Sequence, residues 1–419
     1  MIKKRKGIFF AVITLLILAV IASIFLNYQN KKSQRIINLT AEDKRTDFNV
    51  LCNILDENYP FWEEVKQAGI DKESIYKEYA AKIEETETDI AYFKEINYFL
   101  KELKGFGHLS VLDGYGYRMY VDALTVSNQM LTEKEEKSIA PLVEVLTSTD
   151  SQKLYRLLDQ SHEGFRSLVG LKEEYQNTGN ANAVAEQSVI STEILKGGKV
   201  AYIKIPGFGL TDYQMDKSVL EDFFAEISQV PNLIIDIRGN SGGSDLYWED
   251  LIVAPNAARE LISERYYLFH ANDATSAYVS ANEITVKDMA LAKDMILSEY
   301  ADTFSGYTVD TAKFAPAKNP YKGKIWVLVD DKVYSASENF AMFCKNTGFA
   351  TLVGTATGGD GGIADPILFS LPKSGLIVRF SMFYGLNADG SGNELYGTAP
   401  DVAISEDEDA LETCLGLIE

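Results

Sequence analysis

The chain has few cysteines, few histidines and no excess of basic charge. Its 419 residues include three cysteines and three histidines, and the formal net charge is −21 at pH 7. Cys52, Cys344 and Cys414 are too few and too scattered for a disulfide framework or a zinc site, and their apolar flanks indicate buried free thiols. A nucleic-acid surface would need a basic face, so no nucleic-acid partner is expected. We therefore expect neither a metal nor another cofactor.

The remaining composition is that of a globular protein. Hydrophobic residues make up 46% and charged residues 24% of the chain, as in ordinary folded domains. The length suffices for one large or two ordinary domains with a sizeable core. The oligomeric state is left open.

The N-terminus predicts a membrane anchor. Lys3–Lys6 precede an uninterrupted apolar run from Gly7 to Leu26, about the length that crosses a bilayer as a helix. We expect a cytoplasmic tail (1–6), a transmembrane helix (7–27) and a tether (28–45), in a single-pass protein of the cell membrane whose C-terminal part is extracytoplasmic. A cleaved signal peptide is the competing interpretation. The length of the run and the weak cleavage site around Ala22 favour the anchor.

Two regions of different periodicity follow the tether. Residues 46–187 carry apolar side chains at helical spacing and predict a mostly helical N-terminal subdomain. Residues 188–419 alternate short apolar runs with helix-like segments and predict an α/β core. The polar segments 122–187 and 245–320 could form either a lid or a partner surface, and the sequence does not distinguish between the two. The predicted strands of the core include Val189–Leu195 and Val200–Ile205, joined at Gly197-Gly198, then Leu233–Ile237, Ile325–Val329, Thr351–Gly354 and Leu376–Phe380.

The segment 325–362 carries the strongest indication of chemistry. A buried strand, Ile325–Val329, ends in a turn, and Ser335 and Ser337 then open a helix-like stretch. A serine at a helix N-terminus lies beside free backbone N–H groups, which stabilise the anionic intermediates of acyl transfer. Serine is also a common helix cap. Taken alone, this segment favours capping.

Histidine is the usual general base near neutral pH, and the chain has only three candidates. His162 lies in a polar stretch and is interpreted as a surface residue, and His270 ends the aromatic run Tyr266–Phe269 and is interpreted as packing. His108 follows Gly107 at a helix-to-strand junction, where a side chain can face a cleft. His108 becomes the candidate base only in combination with the serine segment.

The block Leu233–Ser244 ends an apolar strand in a glycine-rich loop. Gly242 and Gly243 would let backbone N–H groups approach a ligand closely, which suits an oxyanion donor, and a plain glycine turn is the alternative. The loop also matches the pattern G-x-S-x-G, which makes Ser241 a rival nucleophile. In the α/β-hydrolases, which carry this pattern, the acid and then the histidine follow the serine in sequence. Only His270 could then be the base, and the separation of 29 residues from Ser241 to His270 is too short for the usual intervening strands and helices. Ser241 is therefore the weaker candidate.

Four blocks in order resemble one superfamily. They are KGFGHLSVL (104–112), LIIDIRGNSGGS (233–244), VYSASENFAMFCKNTGFATLVGTATGG (333–359) and NELYGTAPDVAI (393–404). The chain thereby resembles the C-terminal processing peptidases, the tricorn protease core and the interphotoreceptor retinoid-binding protein modules, from about residue 47 to 404. This resemblance implies a Clp/crotonase-like β-spiral core behind a helical N-terminal region.

The resemblance also assigns roles. Ser335 matches the nucleophile, and Gly242 or Gly243 together with Ala336 match the oxyanion hole. The processing peptidases use a lysine 25 residues after their serine, whereas this chain has Asp360 there. A serine–lysine dyad is excluded at the matching position.

The tricorn-like branch uses a histidine and a glutamate, which match His108 and Glu394. The tricorn core has a serine before its histidine, and this chain has Gly107 instead. Either Glu394 reaches His108 directly, or a water or another residue intervenes.

We accordingly expect a membrane-anchored extracytoplasmic serine peptidase acting on peptides or proteins through Ser335, His108 and Glu394. A catalytically silent module that binds a peptide or an apolar ligand on the same scaffold is the alternative. A crotonase-type acyl-CoA enzyme is disfavoured, because the bulk of an exported chain would not meet coenzyme A.

Overall fold

A computed structural model describes residues 36–127, 133–160, 188–210, 213–292, 300, 302–360, 366–405 and 407–418. The α-helices are α1 (Ala41–Asn58), α2 (Trp62–Gln67), α3 (Lys72–Glu84), α4 (Asp89–Glu102), α5 (Gly114–Ser127), α6 (Glu133–Thr147), α7 (Thr149–Gln160), α8 (Tyr213–Glu226), α9 (Asp245–Trp248), α10 (Ala254–Asn256), α11 (Asp273–Ala281), α12 (Ala336–Thr347), α13 (Asn393–Tyr396) and α14 (Ala410–Leu417). The strands are β1 (Ser110–Val111), β2 (Ser191–Leu195), β3 (Val200–Lys204), β4 (Asn232–Asp236), β5 (Leu261–Phe269), β6 (Lys287–Asp288), β7 (Gly306–Phe314), β8 (Lys324–Val329), β9 (Thr351–Gly354), β10 (Ile367–Ser370), β11 (Ile377–Phe380), β12 (Phe383–Leu386) and β13 (Val402–Ala403).

The largest sheet has the strand order β13-β9-β8-β4-β3-β2. Its strands are parallel except β2, which pairs antiparallel with β3 across the predicted Gly197-Gly198 turn. Strands β4 and β8 lie in the middle, and their nearly continuous apolar runs are buried on both faces, as parallel strands require. The predicted α/β class is confirmed.

The parallel arrangement positions the candidate site. Strands β4, β8 and β9 are neighbours in the sheet. Their carboxyl ends open respectively into the glycine loop, the Ser335 segment and the segment 355–360. Ligands in open α/β sheets bind at such ends. The topology thus brings three stretches of chain together that lie far apart in sequence.

Two further sheets complete the fold, and the second of them joins the N-terminal region to C-terminal strands. The antiparallel sheet β12-β5-β7-β6 is one, and β1-β11-β10 is the other, with Ser110 opposite Arg379. One apolar cluster accordingly contains Phe48 of α1 and Phe99 of α4 together with Phe380 of β11. The predicted division into residues 46–187 and 188–419 stays a prediction.

The first helices begin where local chemistry allows. Thr40 and Asp43 form a capping box at the start of α1, and Thr88 caps α4 by accepting the Ala91 N–H. Such caps satisfy backbone donors that a helix leaves unpaired at its N-terminus. The three cysteines are buried free thiols, as predicted.

The localisation requires a correction. No helix in the described part of the chain is long and apolar enough to cross a membrane. The prediction of a single-pass cell-membrane protein is not supported and is withdrawn. The run 7–27, on which it rested, lies outside the described residues, as do the tail 1–6 and residues 28–35 of the tether.

Asp236 anchors the start of the glycine loop at the end of β4. It is fully buried and accepts hydrogen bonds from Arg238 Nη2 at 2.7 Å and from the Tyr202 hydroxyl at 2.7 Å. Burial alone would raise its pKa, but the hydrogen bonds from Arg238 and Tyr202 outweigh burial and lower the pKa below its ordinary value. The ionised form therefore stabilises the fold.

We expect Asp236→Asn to lower the free energy of unfolding by about 3 kcal/mol at pH 7, because Arg238 loses its buried counter-charge. A lowered native pKa contributes stability that is present above the unfolded value of about 3.9 and is lost as the pH falls through the native pKa. Urea unfolding should therefore show the difference shrinking below about pH 4. Asp222→Asn, at an exposed position of α8, is the control, and an equal effect there would contradict the prediction.

Candidate functional site

Ser335 lies at the N-terminus of α12 in an unusual backbone conformation. Its φ is 59° and its ψ is −127°, and its side chain makes no capping hydrogen bond. The neighbouring Ser337 has the structural role instead, since its hydroxyl contacts the carbonyl oxygens of Asn240 (2.5 Å) and Tyr334 (2.8 Å) and receives the Tyr334 N–H. The Ser335 hydroxyl is thus not used to begin the helix, in contrast to the capping interpretation.

Backbone strain is concentrated at this site. Seven non-glycine residues in the described ranges have a positive φ, and three of them are His108 (62°), Ser335 (59°) and Asp360 (62°). Each such residue costs about 1–3 kcal/mol and persists only where the surroundings enforce it. Clustering of strain of this kind is typical of functional sites.

The glycine loop packs directly against Ser335. A Cβ atom built on Gly242 would lie 2.8 Å from the Ser335 Cβ, 2.8 Å from the Tyr334 oxygen and 3.0 Å from the Ala336 nitrogen. Gly242 has a φ of +106°. Only glycine allows this approach.

The two glycines differ as hydrogen-bond donors. The Gly242 N–H donates to Asn240 Oδ1 at 2.9 Å. The next residue, Gly243, pairs with Phe208 in a parallel bridge whose hydrogen bonds use the Gly242 oxygen and the Ser244 nitrogen. Within the described residues no acceptor is bonded to the Gly243 N–H. Gly243 is therefore the better candidate for a free donor.

His108 ends a 3₁₀ turn that several contacts hold in place. The Phe106 oxygen accepts the Tyr59 hydroxyl at 3.0 Å, and the Gly107 oxygen accepts the Ser381 N–H at 2.7 Å. A Cβ on Gly107 would lie 2.1 Å from the Phe61 ring. The serine found at this position in the tricorn core would not fit here unless Phe61 moved.

The His108 ring contacts two residues close to Ser335, which are Asp360 and Tyr334. Its Nε2 lies within hydrogen-bond distance of the carboxylate of Asp360. Its centroid lies 5.1 Å from that of Tyr334, edge to face. The Ser335 N–H in turn donates to the Gly359 oxygen at 3.4 Å. His108 and Ser335 are therefore linked through their immediate neighbours, Tyr334 and the pair Gly359–Asp360.

Glu394 lies in the first turn of α13 and reaches the site differently. The Tyr334 hydroxyl donates to its Oε1 at 3.4 Å. Burial and the nearby charge of Asp360 raise its pKa well above the ordinary value, while the Gly107 N–H acts in the opposite direction. Of the two alternatives left open by the sequence, the described contacts fit an intervening residue, since the carboxylate in contact with His108 is that of Asp360.

A buried polar network holds these segments together. Glu338 of α12 is fully buried, and its Oε1 accepts hydrogen bonds from Asn393 Nδ2 at 2.7 Å and from the Thr398 hydroxyl at 2.6 Å. Thr357 then accepts the Thr398 N–H at 2.6 Å. Burial raises the pKa of Glu338. This network links α12, α13 and the segment before Asp360 behind the site.

The other histidines lie elsewhere. His270 stacks on Phe304 with a centroid distance of 4.9 Å, and burial lowers its pKa, consistent with packing. His162 lies outside the described residues. Across the described ranges no group of three or more His, Cys, Asp or Glu side chains could hold a metal ion.

The sequence matches a known family over the part of the chain that carries Ser335, the glycine loop and Glu394, and the match does not include His108. The model of peptidase family S41 matches residues 199–404. The chain belongs to peptidase family S41. The superfamily predicted from the four blocks is thereby confirmed. No curated protein matches the sequence.

Solved structures agree with the fold of an S41 member. A candidate peptidase from Parabacteroides merdae has a TM-score of 0.55 at 19% identity, covering 90% of this chain and 96% of that chain. Mature CPAF has a TM-score of 0.51 at 16% identity, covering 87% of this chain and 92% of that chain. At these identities the likeness concerns the fold alone.

Proposed function

We propose that this S41 member is a serine-type peptidase that hydrolyses peptide bonds at Ser335. The observation that carries the proposal is the linkage just described, in which the two neighbours of Ser335, Tyr334 and the Gly359–Asp360 pair, both contact His108. The strained, uncapped serine at the end of a buried parallel strand supports it further. The predicted Clp/crotonase-like spiral of the core belongs to the same proposal.

The chemistry follows from these residues. The Ser335 oxygen attacks the substrate carbonyl carbon, and His108 takes the hydroxyl proton, because an unassisted serine hydroxyl is a poor nucleophile. The N–H groups of Gly243 and Ala336 receive the developing oxyanion. As the carbon–nitrogen bond breaks, His108 returns the proton to the leaving amine. Water then attacks the acyl-serine ester in the same manner and frees Ser335.

The surroundings favour this sequence of steps. Ala336 is the first residue of α12, where backbone N–H groups lack helical partners and the helix dipole is positive. Glu394, the predicted third member, is buried behind Tyr334. The substrate would be a peptide or a protein.

A fluorophosphonate probe tests the proposal. The probe phosphonylates activated serines, so the full chain should form a single adduct, which tryptic mass spectrometry should locate at Ser335. An adduct at Ser241 would contradict the assignment. A chain that never reacts yet retains a peptide or lipid would favour the alternative of a silent binding module.

A further inference from the structure

One acidic residue that contacts the candidate base has no step in the mechanism above. Asp360 occupies the position at which the processing peptidases have a lysine, and its carboxylate contacts His108 Nε2. We propose that Asp360 is the positioning residue of the site, an inference that rests on the proposed function. Asp360 would orient the His108 ring and compensate the charge that this ring gains when it takes the serine proton.

The backbone around Asp360 is held on both sides. On the nucleophile side, Tyr334 and Gly359 form a parallel bridge, and the Gly358 N–H donates to the Val333 oxygen at 2.8 Å. On the opposite side, a Cβ on Gly359 would lie 2.5 Å from the Asn393 oxygen. The segment that leads to Asp360 thus lies between the Ser335 segment and α13.

Burial makes the pair effective. The Asp360 side chain is 4% exposed and that of His108 is 19% exposed. Screening by water is weak at such depth, so a carboxylate can compensate an imidazolium charge there. A hydrogen bond from one ring nitrogen to a fixed carboxylate also sets the tautomer and orientation of a histidine. With Nε2 directed to Asp360, Nδ1 is the nitrogen left for the Ser335 proton.

Glu394 is less suited to this role. Two buried carboxylates close together do not readily both ionise. The pKa of Glu394 is raised well above its ordinary value by burial and by the charge of Asp360. Among the described residues its Oε2 has no hydrogen-bond partner, so this oxygen does not hold the His108 ring. The geometry assigns the contact with the ring to Asp360, and Glu394 would support Tyr334 and the Gly107 turn.

The first test is the rate of fluorophosphonate labelling at Ser335 in the full chain. We expect Asp360→Asn to lower this rate about 10- to 100-fold, and more than Glu394→Gln does, because the asparagine cannot compensate an imidazolium charge. Asp360→Glu should restore part of the loss. Asp331→Asn, at an exposed position before the nucleophile segment, should react like the wild type.

The second test does not depend on activity. Only three histidines are present, so selective ¹⁵N-histidine labelling gives a tractable NMR spectrum, and His108→Gln assigns the site. Long-range ¹H–¹⁵N correlations should show the neutral His108 ring of the wild type as the Nε2–H tautomer. Asp360→Asn should change that signal and leave those of His162 and His270 unchanged.

The outcomes separate the two proposals. Absence of labelling at Ser335 in the wild type would overturn both the proposed function and the role of Asp360. Labelling that is lost in Glu394→Gln but retained in Asp360→Asn would overturn the role of Asp360 alone. Faster labelling of Asp360→Asn would also overturn it, since the pair would then hold the ring away from the serine. If Asp360→Asn does not fold, an Nδ1–H tautomer in the wild type would still refute the inference.

Discussion

Replacing Ser335 with alanine is expected to lower peptide hydrolysis by about 10⁴-fold or more, the loss seen when a catalytic serine is removed. The substitution removes one oxygen at a half-exposed position. It breaks no capping hydrogen bond of α12, since the Ser335 side chain makes none. The thermal midpoint should therefore change little, which separates loss of catalysis from loss of fold.

The decisive control is Ser241→Ala. Ser241 is the rival nucleophile of the glycine loop and is exposed. Initial rates on a quenched fluorescent peptide library should be near wild type for Ser241→Ala and at background for Ser335→Ala. The reverse pattern would assign the nucleophile to Ser241 of the glycine loop and would contradict the assignment of Ser335 and His108 as nucleophile and base.

Much of the core could be predicted because buried parallel strands have a simple pattern. The runs Leu233–Ile237, Ile325–Val329 and Thr351–Gly354 are apolar at nearly every position, and strands β4, β8 and β9 coincide with them to within a residue. Both faces of such strands are covered by helices, so most of their side chains are apolar, and the buried Asp236 of β4 is ion-paired. The Gly197-Gly198 turn was equally visible, because a hairpin of this type requires positive φ.

The segment 245–320 illustrates the opposite case. Strand β5 spans Leu261–Phe269, yet only its aromatic end was apparent from the sequence. Near its start the polar Ser263 and Arg265 are buried together with Leu261, while Ile262 is 48% exposed. Arg265 is buried because it pairs with Asp310 of the neighbouring strand β7. Over Ile262, Ser263 and Arg265 the usual pattern of buried apolar and exposed polar residues does not hold.

For the site, sequence pattern could identify candidates but not their pairing. Ser335, Gly242 and His108 were selected from motifs, and the fold places their segments side by side. Asp360 was noticed only as a substitution for lysine. Its contact with His108 depends on the bridge between Tyr334 and Gly359, which no local pattern indicates. The acidic residue within a glycine-rich segment was the one available signal.

Gly242→Ala is expected to lower turnover by about a hundredfold to a thousandfold. The new methyl group would meet the Ser335 Cβ and the Tyr334 oxygen at 2.8 Å each and the Ala336 nitrogen at 3.0 Å. None of these atoms is at the end of a flexible side chain, so the nucleophile and one oxyanion donor must shift. Loss of one such donor, or a displacement of about 1 Å, has an effect of this size.

Gly239→Ala provides a matched control in the same loop. Gly239 also has a positive φ, +79°, but a Cβ there meets nothing within 4 Å. Both substitutions impose left-handed backbone strain of about 1–2 kcal/mol, and Gly242→Ala adds the overlap with Ser335 and Tyr334. Urea unfolding should therefore show a loss of stability in both variants, with the larger loss in Gly242→Ala. Only Gly242→Ala should lose turnover, and mainly in kcat, because the shifted donor acts on the oxyanion of the transition state. Equal losses of activity in both variants would mean that strain in the loop, and not crowding at Ser335, controls the rate.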